Sequence, residues 1–454
     1  MLNNTREHSP QTHNIPAHSK GYHHMIFKDI DYIDEDFTVR HGCINIEGEL
    51  ITAITESMPQ GDLSGFGEII NGAGKLLMPG LVNSHCHVPM TLLRGYGEGL
   101  PLDRWLNERV FPFEDKITPD DTYWGTLLGI AEMLRSGVTS FTEMYALCGS
   151  ICEAVELSGI KVNISQAVLE FGDGKLSDNS RFKASEELIN TWNGAAQGRI
   201  ITEASIHAEY TSNPEIVRDY AVWAKSRGVG MHLHLSETES EHIGCKERHS
   251  TTPAAYFDKL GVFDIRTTAA HCVWVEPADI STLAGHGVTA THCPSSNLKL
   301  GSGFAPVPDM LRDGVNVALG TDGASSNNNL NLFEEMHLAG LIHKAYNRDA
   351  SLLPAAEVLK MATVNGARGQ GRTDTGLIRE GYKADLVMLD IDKPHLTPRF
   401  DILSNLVFSA QSSDIVMTVV DGRIVCKDGQ VLTFDVSEAI EKAFKAAMRI
   451  ASEL

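Results

Sequence analysis

Two histidines one residue apart, His85 and His87 in NSHCH, point to the same face if the segment is extended, because strand side chains alternate. Both imidazoles can then reach one metal ion, while Cys86 points the other way and reads as a small buried side chain. HLHLSE supplies His232, His234 and Glu237; one of these histidines is a third candidate ligand and the other a core hydrogen-bonding group. Asp322, in LGTDGASSNN, offers a carboxylate whose alternative reading is a helix N-cap. Three imidazoles and a carboxylate form a borderline-hard donor set suited to Zn²⁺ or Fe²⁺, with a position left for water. A second ion would need a bridging group, such as a lysine, after the fourth strand; the chain has Ile206-His207-Ala208 there, so one ion is expected. A divalent cation lowers the pKa of water beside it towards neutrality, and a nearby carboxylate must take and pass on the proton. Glu237, three residues beyond His234, is the candidate shuttle. His271, in AAHC, is a candidate to hydrogen-bond the attacking group, with an outer-shell or alternative-ligand role as the other reading.

These residues converge only if their segments do. Strands are predicted at 77–87, 137–144, 161–170, 199–208, 228–237, 267–272, 287–293 and 315–322, with helical patterns such as DTYWGTLLGIAEMLRS and NPEIVRDYAVWAKSRG between them. Gly137, Gly228, Gly287 and Gly314 each precede a strand, where a helix needs its C-cap. Eight βα repeats with near-continuous apolar strands predict an α/β fold, a (β/α)₈ TIM barrel, over 77–375, although periodicity alone also admits an open doubly wound sheet. Active sites of such barrels lie at the strand C-termini, and these ends carry His85, His87, Glu143, Glu170, His207, His234, Glu237, His271, His292 and Asp322. INIEGELITAI near the start, and KADLVMLDI and VMTVV-Asp421-Gly422-RIVCK near the end, read as hairpins. Residues 26–76 and 376–435 therefore make up one small β-sandwich domain, and 436–454 an amphipathic helix. Residues 1–25 carry five histidines at irregular spacing and read as a mobile extension rather than a metal-binding tail.

The chain has 454 residues, 42% apolar and 21% charged, which excludes a largely disordered protein. Its 38 Lys and Arg against 59 Asp and Glu give a net charge of −21, repelling nucleic acid and anionic lipid. No apolar run approaches the roughly 18 residues that span a bilayer, and the start lacks the apolar centre of a secretory signal. Eight cysteines without a CxxC pair fit reduced thiols in the cytoplasm. The expected partner is a small molecule, and the expected assembly a homo-oligomer.

PGLVNSHCHVPMTLLRG, HLHLSETESEH, AAHCVWV, HCPSSNLKLGSG and LGTDGASSNNNLNLFEEM together resemble the amidohydrolase superfamily, and more narrowly its 5′-methylthioadenosine/S-adenosylhomocysteine deaminase branch. The likeness runs from about Ile26 onward and includes NGAR (365–368) and GLIREGYKADLV (376–387). It implies a hydrolase of C–N bonds in cyclic amidines, deaminating adenosine-type nucleosides; neighbouring branches act on triazines, pterins and guanine. It also implies His85, His87, His234 and Asp322 as metal ligands, His232 as a structural neighbour, Glu237 as a proton shuttle touching the substrate ring, and His271 as partner of the attacking hydroxide. Asp322 shares the proton relay. By the same resemblance Glu114 binds the ribose hydroxyls, His207 contacts the purine and Trp105 covers the nucleoside. Read without it, Glu114 is a solvated acid beside Asp115, and Trp105 a core aromatic. One departure stands out: Gln166 occupies the position of an arginine that holds the substrate's amino-acid carboxylate, while its companion persists as Arg181. Losing one cationic fork favours a neutral 5′-substituent. A non-catalytic metal-binding scaffold is the remaining alternative, and it needs no proton shuttle.

Overall fold

A computed structural model describes residues 24–58, 67–100 and 102–454. Of the extension read at 1–25, only His24 and Met25 fall within it, and both belong to the first strand. β1 (His24–Ile33) pairs antiparallel with β2 (Val39–Glu47), and β2 with β3 (Leu50–Thr55). β4 (Glu68–Asn71) and β5 (Lys75–Pro79) add to β1 in parallel. Gly80 then lets the chain pass from this sheet to the next: a Cβ there would meet the Thr139 side chain at 2.3 Å.

Eight parallel strands follow, each hydrogen-bonded to the next: β6 (Leu81–Cys86), β7 (Val138–Tyr145), β8 (Lys161–Val168), β9 (Ile200–Ile206), β10 (Met231–Leu235), β11 (Thr267–His271), β12 (Thr289–His292) and β13 (Asn316–Leu319). Both faces of these strands are buried, which is why the sequence reads as apolar runs rather than alternation. The intervening helices end where expected, with Gly137, Gly228, Gly287 and Gly314 all at φ between 66° and 89°. Loop contacts close the ring between β13 and β6: the Asp322 N–H donates to the His85 carbonyl at 3.0 Å, and the Thr321 N–H to Asn83 Oδ1 at 3.0 Å.

The chain then returns to the first sheet as β14 (Leu386–Asp390), β15 (Ile415–Val420), β16 (Arg423–Lys427) and β17 (Gln430–Val431). Asp421 and Gly422, at φ 45° and 68°, form the primed turn read from the sequence. The strand order β17-β16-β15-β14-β5-β1-β2-β3 makes the two chain flanks one continuous nine-stranded sheet, β4 included. Its side chains share a core of their own, with Phe27, Ile44 and Ile46 from one flank packed with Leu386, Met388 and Val419 from the other. Buried Lys161, at the start of β8, ties this sheet to the barrel through Asp385 (2.5 Å) and Asp421 (2.6 Å).

Two helical segments complete the rim. Residues 102–114, to which the sequence reading gave no element, wind as Leu102–Trp105, a wide turn Leu106–Val110, and Phe111–Glu114. The helix Val436–Ser452 packs beside them: Ala443, Ala446 and Ile450 share an apolar cluster with Trp105, Val110 and Phe113. No helix among the described residues is long and apolar enough to cross a membrane.

Candidate active site

Because strand side chains alternate, His85 and His87 both reach the barrel mouth, His85 fully buried and His87 nearly so. His87 Nδ1 donates to the Met144 carbonyl at 2.5 Å and His234 Nδ1 to the His207 carbonyl at 2.8 Å. With those protons committed, the two Nε2 lone pairs face each other at 3.4 Å. His85 Nδ1 pairs with His232 Nε2 at 2.9 Å, and its buried Nε2 has no hydrogen-bond partner. Asp322 Oδ1 lies 3.3 Å from His87 Nε2 and 3.5 Å from His85 Nε2. Lone pairs aimed at one another with no proton between them are stable only around a cation. The donor set therefore fits a divalent metal ion, and His232 is the outer neighbour that orients His85.

Asp322 is held by more than its ligand partners. Ser296 Oγ and Ser326 Oγ donate to its Oδ2 at 2.6 and 2.8 Å, and the Gly323 N–H to its Oδ1 at 2.8 Å. Burial alone would raise its pKa, but the adjacent His85, His87 and His271 imidazoles outweigh it and hold the carboxyl well below the usual carboxylate range. Burial lowers the pKa of His85, His87 and His234, keeping them neutral as ligation requires.

Glu237 and His271 lie next to this cluster, His271 Nε2 standing 3.8 Å from Glu237 Oε2. Burial raises the Glu237 pKa. For His271, burial works against protonation, but the Glu237 and Asp322 carboxylates and the Asn297 hydrogen bond prevail and raise its pKa. His271, Cys272, Ser236 and Asp322 all have φ between 48° and 72°, a left-handed conformation uncommon for non-glycine residues, and the four gather at the cleft floor and its adjoining turns.

The cluster floors a cleft of about 340 Å³, whose lining includes Glu237, His271, Asp322, His207, Trp105, Glu114 and Arg181. His207 packs its ring 4.7 Å from that of His234, and its buried Nδ1 has no partner. Burial lowers its pKa to about 4. The inaccessible Oε1 of Glu114 is likewise unpartnered, and burial raises its carboxyl to about 7 against the pull of Tyr145 and Arg181. Arg181 is exposed and is the one lysine or arginine among the lining residues. Gln166 does not line this cleft: it is buried, accepts a 3.7 Å hydrogen bond from Cys148 Sγ, and borders an adjoining groove that Arg181 also lines.

Three other strand-end residues have partners of their own, although Glu143 Oε1 also stands 3.8 Å from His87 Nδ1. Glu143 accepts the Val88 N–H at 2.7 Å, Glu170 the Gly172 N–H at 3.1 Å, and His292 meets His343 at 3.2 Å between Nε2 atoms. Ser296, Asn297 and Ser326 carry no role legible in the sequence alone. HCPSSN carries the only signal for the first two, as polar residues four and five positions after the strand-end His292.

A protein from Methanosarcina mazei named 5′-deoxyadenosine deaminase is 43% identical over 417 residues, covering 92% of this chain and 95% of that one. A 5-methylthioadenosine/S-adenosylhomocysteine deaminase from Caldanaerobacter subterraneus is 40% identical over 429 residues, 94% of this chain and 98% of the other. Among solved structures, an adenosine deaminase from Xanthomonas campestris with bound zinc superposes with a TM-score of 0.88 at 30% identity, covering 95% and 99% of the two chains. A sequence model of the amidohydrolase family matches residues 76–425, and with that span and these relatives the chain belongs to the amidohydrolase family.

Proposed function

We propose that this protein is a metal-dependent deaminase of adenosine-type nucleosides, converting 5′-methylthioadenosine, S-adenosylhomocysteine, adenosine or another 5′-substituted adenosine to the inosine analogue and ammonia. The observation that carries this reading is the placement of His87, His234, Asp322, Glu237 and His271, with His85 buried directly beside them, on the floor of a cleft whose wall bears Glu114, His207 and Trp105. The names of its relatives support the substrate class.

His85, His87, His234 and Asp322 would hold one ion, Zn²⁺ or alternatively Fe²⁺. When bound, that ion supplies Lewis acidity that makes water nucleophilic at neutral pH. Glu237 takes a proton from the attacking water and delivers it to purine N1, so oxygen adds at C6 without leaving charge on the ring. His271 Nε2 hydrogen-bonds the oxygen added at C6. Asp322 and Glu237 move the second proton to the exocyclic amine, which departs as ammonia while the C6 carbonyl forms. His207, kept neutral by burial, contacts the purine edge, and Glu114 accepts from the ribose diol. Trp105 packs as an apolar cover. The cleft is also lined by Leu106, Val110, Phe111, Leu147 and Phe171 with Arg181 as its single lysine or arginine, which supports a neutral 5′-substituent over a zwitterionic one. The eight cysteines are all unpaired and buried, which supports a reducing, cytoplasmic setting. Ile440, Phe444 and Met448, exposed at four-residue spacing on one helix, support a homo-oligomer, which light scattering would test.

Ammonia release should be assayed over adenosine, 5′-deoxyadenosine, methylthioadenosine, S-adenosylhomocysteine, guanine, cytosine and an aminotriazine. Turnover of the neutral adenosines above the others is expected. Glu237→Gln should keep the metal and lose kcat by about 10²–10⁴-fold. A metal-replete protein inert on every adenosine, or a fully active Glu237→Gln, would overturn the reading.

A further inference from the structure

Two neighbouring residues on the short helix Pro294–Lys299, directly after β12, send their side chains to different parts of the site. Ser296 Oγ donates to Asp322 Oδ2 at 2.6 Å, and Asn297 Oδ1 lies 2.9 Å from His271 Nδ1. Both residues are almost wholly buried, and neither is among those lining the cleft. Occupying Asp322 Oδ2 leaves Oδ1 to face the imidazoles. Accepting from His271 Nδ1 fixes the proton on that nitrogen and turns Nε2 towards Glu237.

The helix bearing this pair is itself pinned from behind. Glu335, fully buried on Leu332–Asn347, accepts the Ser295 N–H through Oε2 at 3.1 Å and Asn327 Nδ2 through Oε1 at 2.7 Å. Asn327 Nδ2 also reaches the Thr321 carbonyl at 2.7 Å, beside Asp322. One carboxyl therefore joins the turn that carries Ser296 and Asn297 to the loop that carries Asp322 and Ser326.

We propose that Ser296 and Asn297 are positioning residues that together set Asp322 and His271 for proton transfer, and that Glu335 keeps the two loops in register. The proposal rests on the deaminase reading for its kinetic consequence, though not for its structural one. A side chain that orients a ligand or a general base from outside contributes about 10–100-fold in metal affinity or activity.

The test uses the full-length metal-loaded protein and whichever aminated ring the wild type turns over best. Ser296→Ala, Asn297→Leu and Glu335→Gln should each lower kcat, about 10–100-fold for the first two, while KM stays within about twofold. Ser296→Thr and Asn297→Asp, which keep the hydroxyl donor and the oxygen acceptor, should recover most of the loss. Ser296→Ala should also release its metal faster to a chelator, whereas Asn297→Leu should not, because His271 is outside the proposed ligand set. The proposal is overturned if Ser296→Ala and Asn297→Leu keep wild-type kcat, or if their losses follow a fall in Tm that the conservative variants do not repair. Chelator release needs no substrate. A wild type inert on every ring would refute the deaminase reading, while Ser296→Ala would still decide whether Ser296 positions Asp322.

Discussion

In its proposed role as acceptor of the ribose diol, Glu114 would tie recognition to pH. Burial raises it to about 7, so it is neutral below that pH and anionic above it. A vicinal diol needs acceptors, and the anion offers them on both oxygens. KM for a ribonucleoside should therefore fall about tenfold between pH 6 and pH 8, as the anionic fraction rises through the midpoint. A Glu114→Gln variant should show a flat KM over the same range. The linkage to stability has the opposite sense: the folded state holds this proton between 4.5 and about 7, so the empty protein loses stability as pH rises through that window. The histidines and acids of the rim were legible in the sequence because a strand end is a fixed place in a barrel. Ser296, Ser326 and Asn297 were not, because a hydroxyl or amide has no assigned partner until loops distant in the chain meet, Ser296 and Asp322 being 26 residues apart.

Strands β6 and β13 show the same dependence among elements. They close the ring through loop hydrogen bonds, and Gly320 sits where a Cβ would lie 2.8 Å from both the N and the O of His85. Gly320→Ala must push that backbone aside, costing about 1–3 kcal/mol, as overpacked cores do. Because His85 is displaced with it, chelator-induced metal loss should quicken alongside the fall in Tm; a drop in Tm with unchanged metal retention would show that the ring closure does not set the ligand. The barrel strands and their order followed from apolar runs, four of them preceded by glycines, and the primed turn at Asp421-Gly422 from its dipeptide; the single strand read over 77–87 instead divides at Gly80, Lys75–Pro79 joining the first sheet and Leu81–Cys86 the barrel. The winding of 102–114 was hidden because Pro101, Pro112 and an irregular apolar pattern interrupt the helical period, and neighbouring elements stabilise it instead. The union of the two flanks in one β domain was legible from their matching hairpins, whereas the pairing of β5 with β14 that makes them one sheet was not, since it joins residues more than 300 positions apart.

Across the whole molecule, Lys161 is the point where sheet and barrel depend on each other. Its ammonium is buried between Asp385 and Asp421, and replacing it by methionine leaves Asp385 without its cation and Asp421 with only the more distant Lys383 at 3.7 Å. Lys161→Met should cost about 3–5 kcal/mol, read as a lower denaturant midpoint for the whole chain. An unchanged midpoint would mean that the two parts unfold independently.

The helix Val436–Ser452 shares its buried alanines and Ile450 with Trp105 and Phe113 on the segment overhanging the cleft. A protease cutting between Leu432 and Asp435 and freeing that helix would leave the proposed ligands and proton-transfer groups in place. What it would take away is the roof's backing, so damage far from the chemistry would surface as poor capture of scarce nucleoside, with catalysis at saturation largely spared.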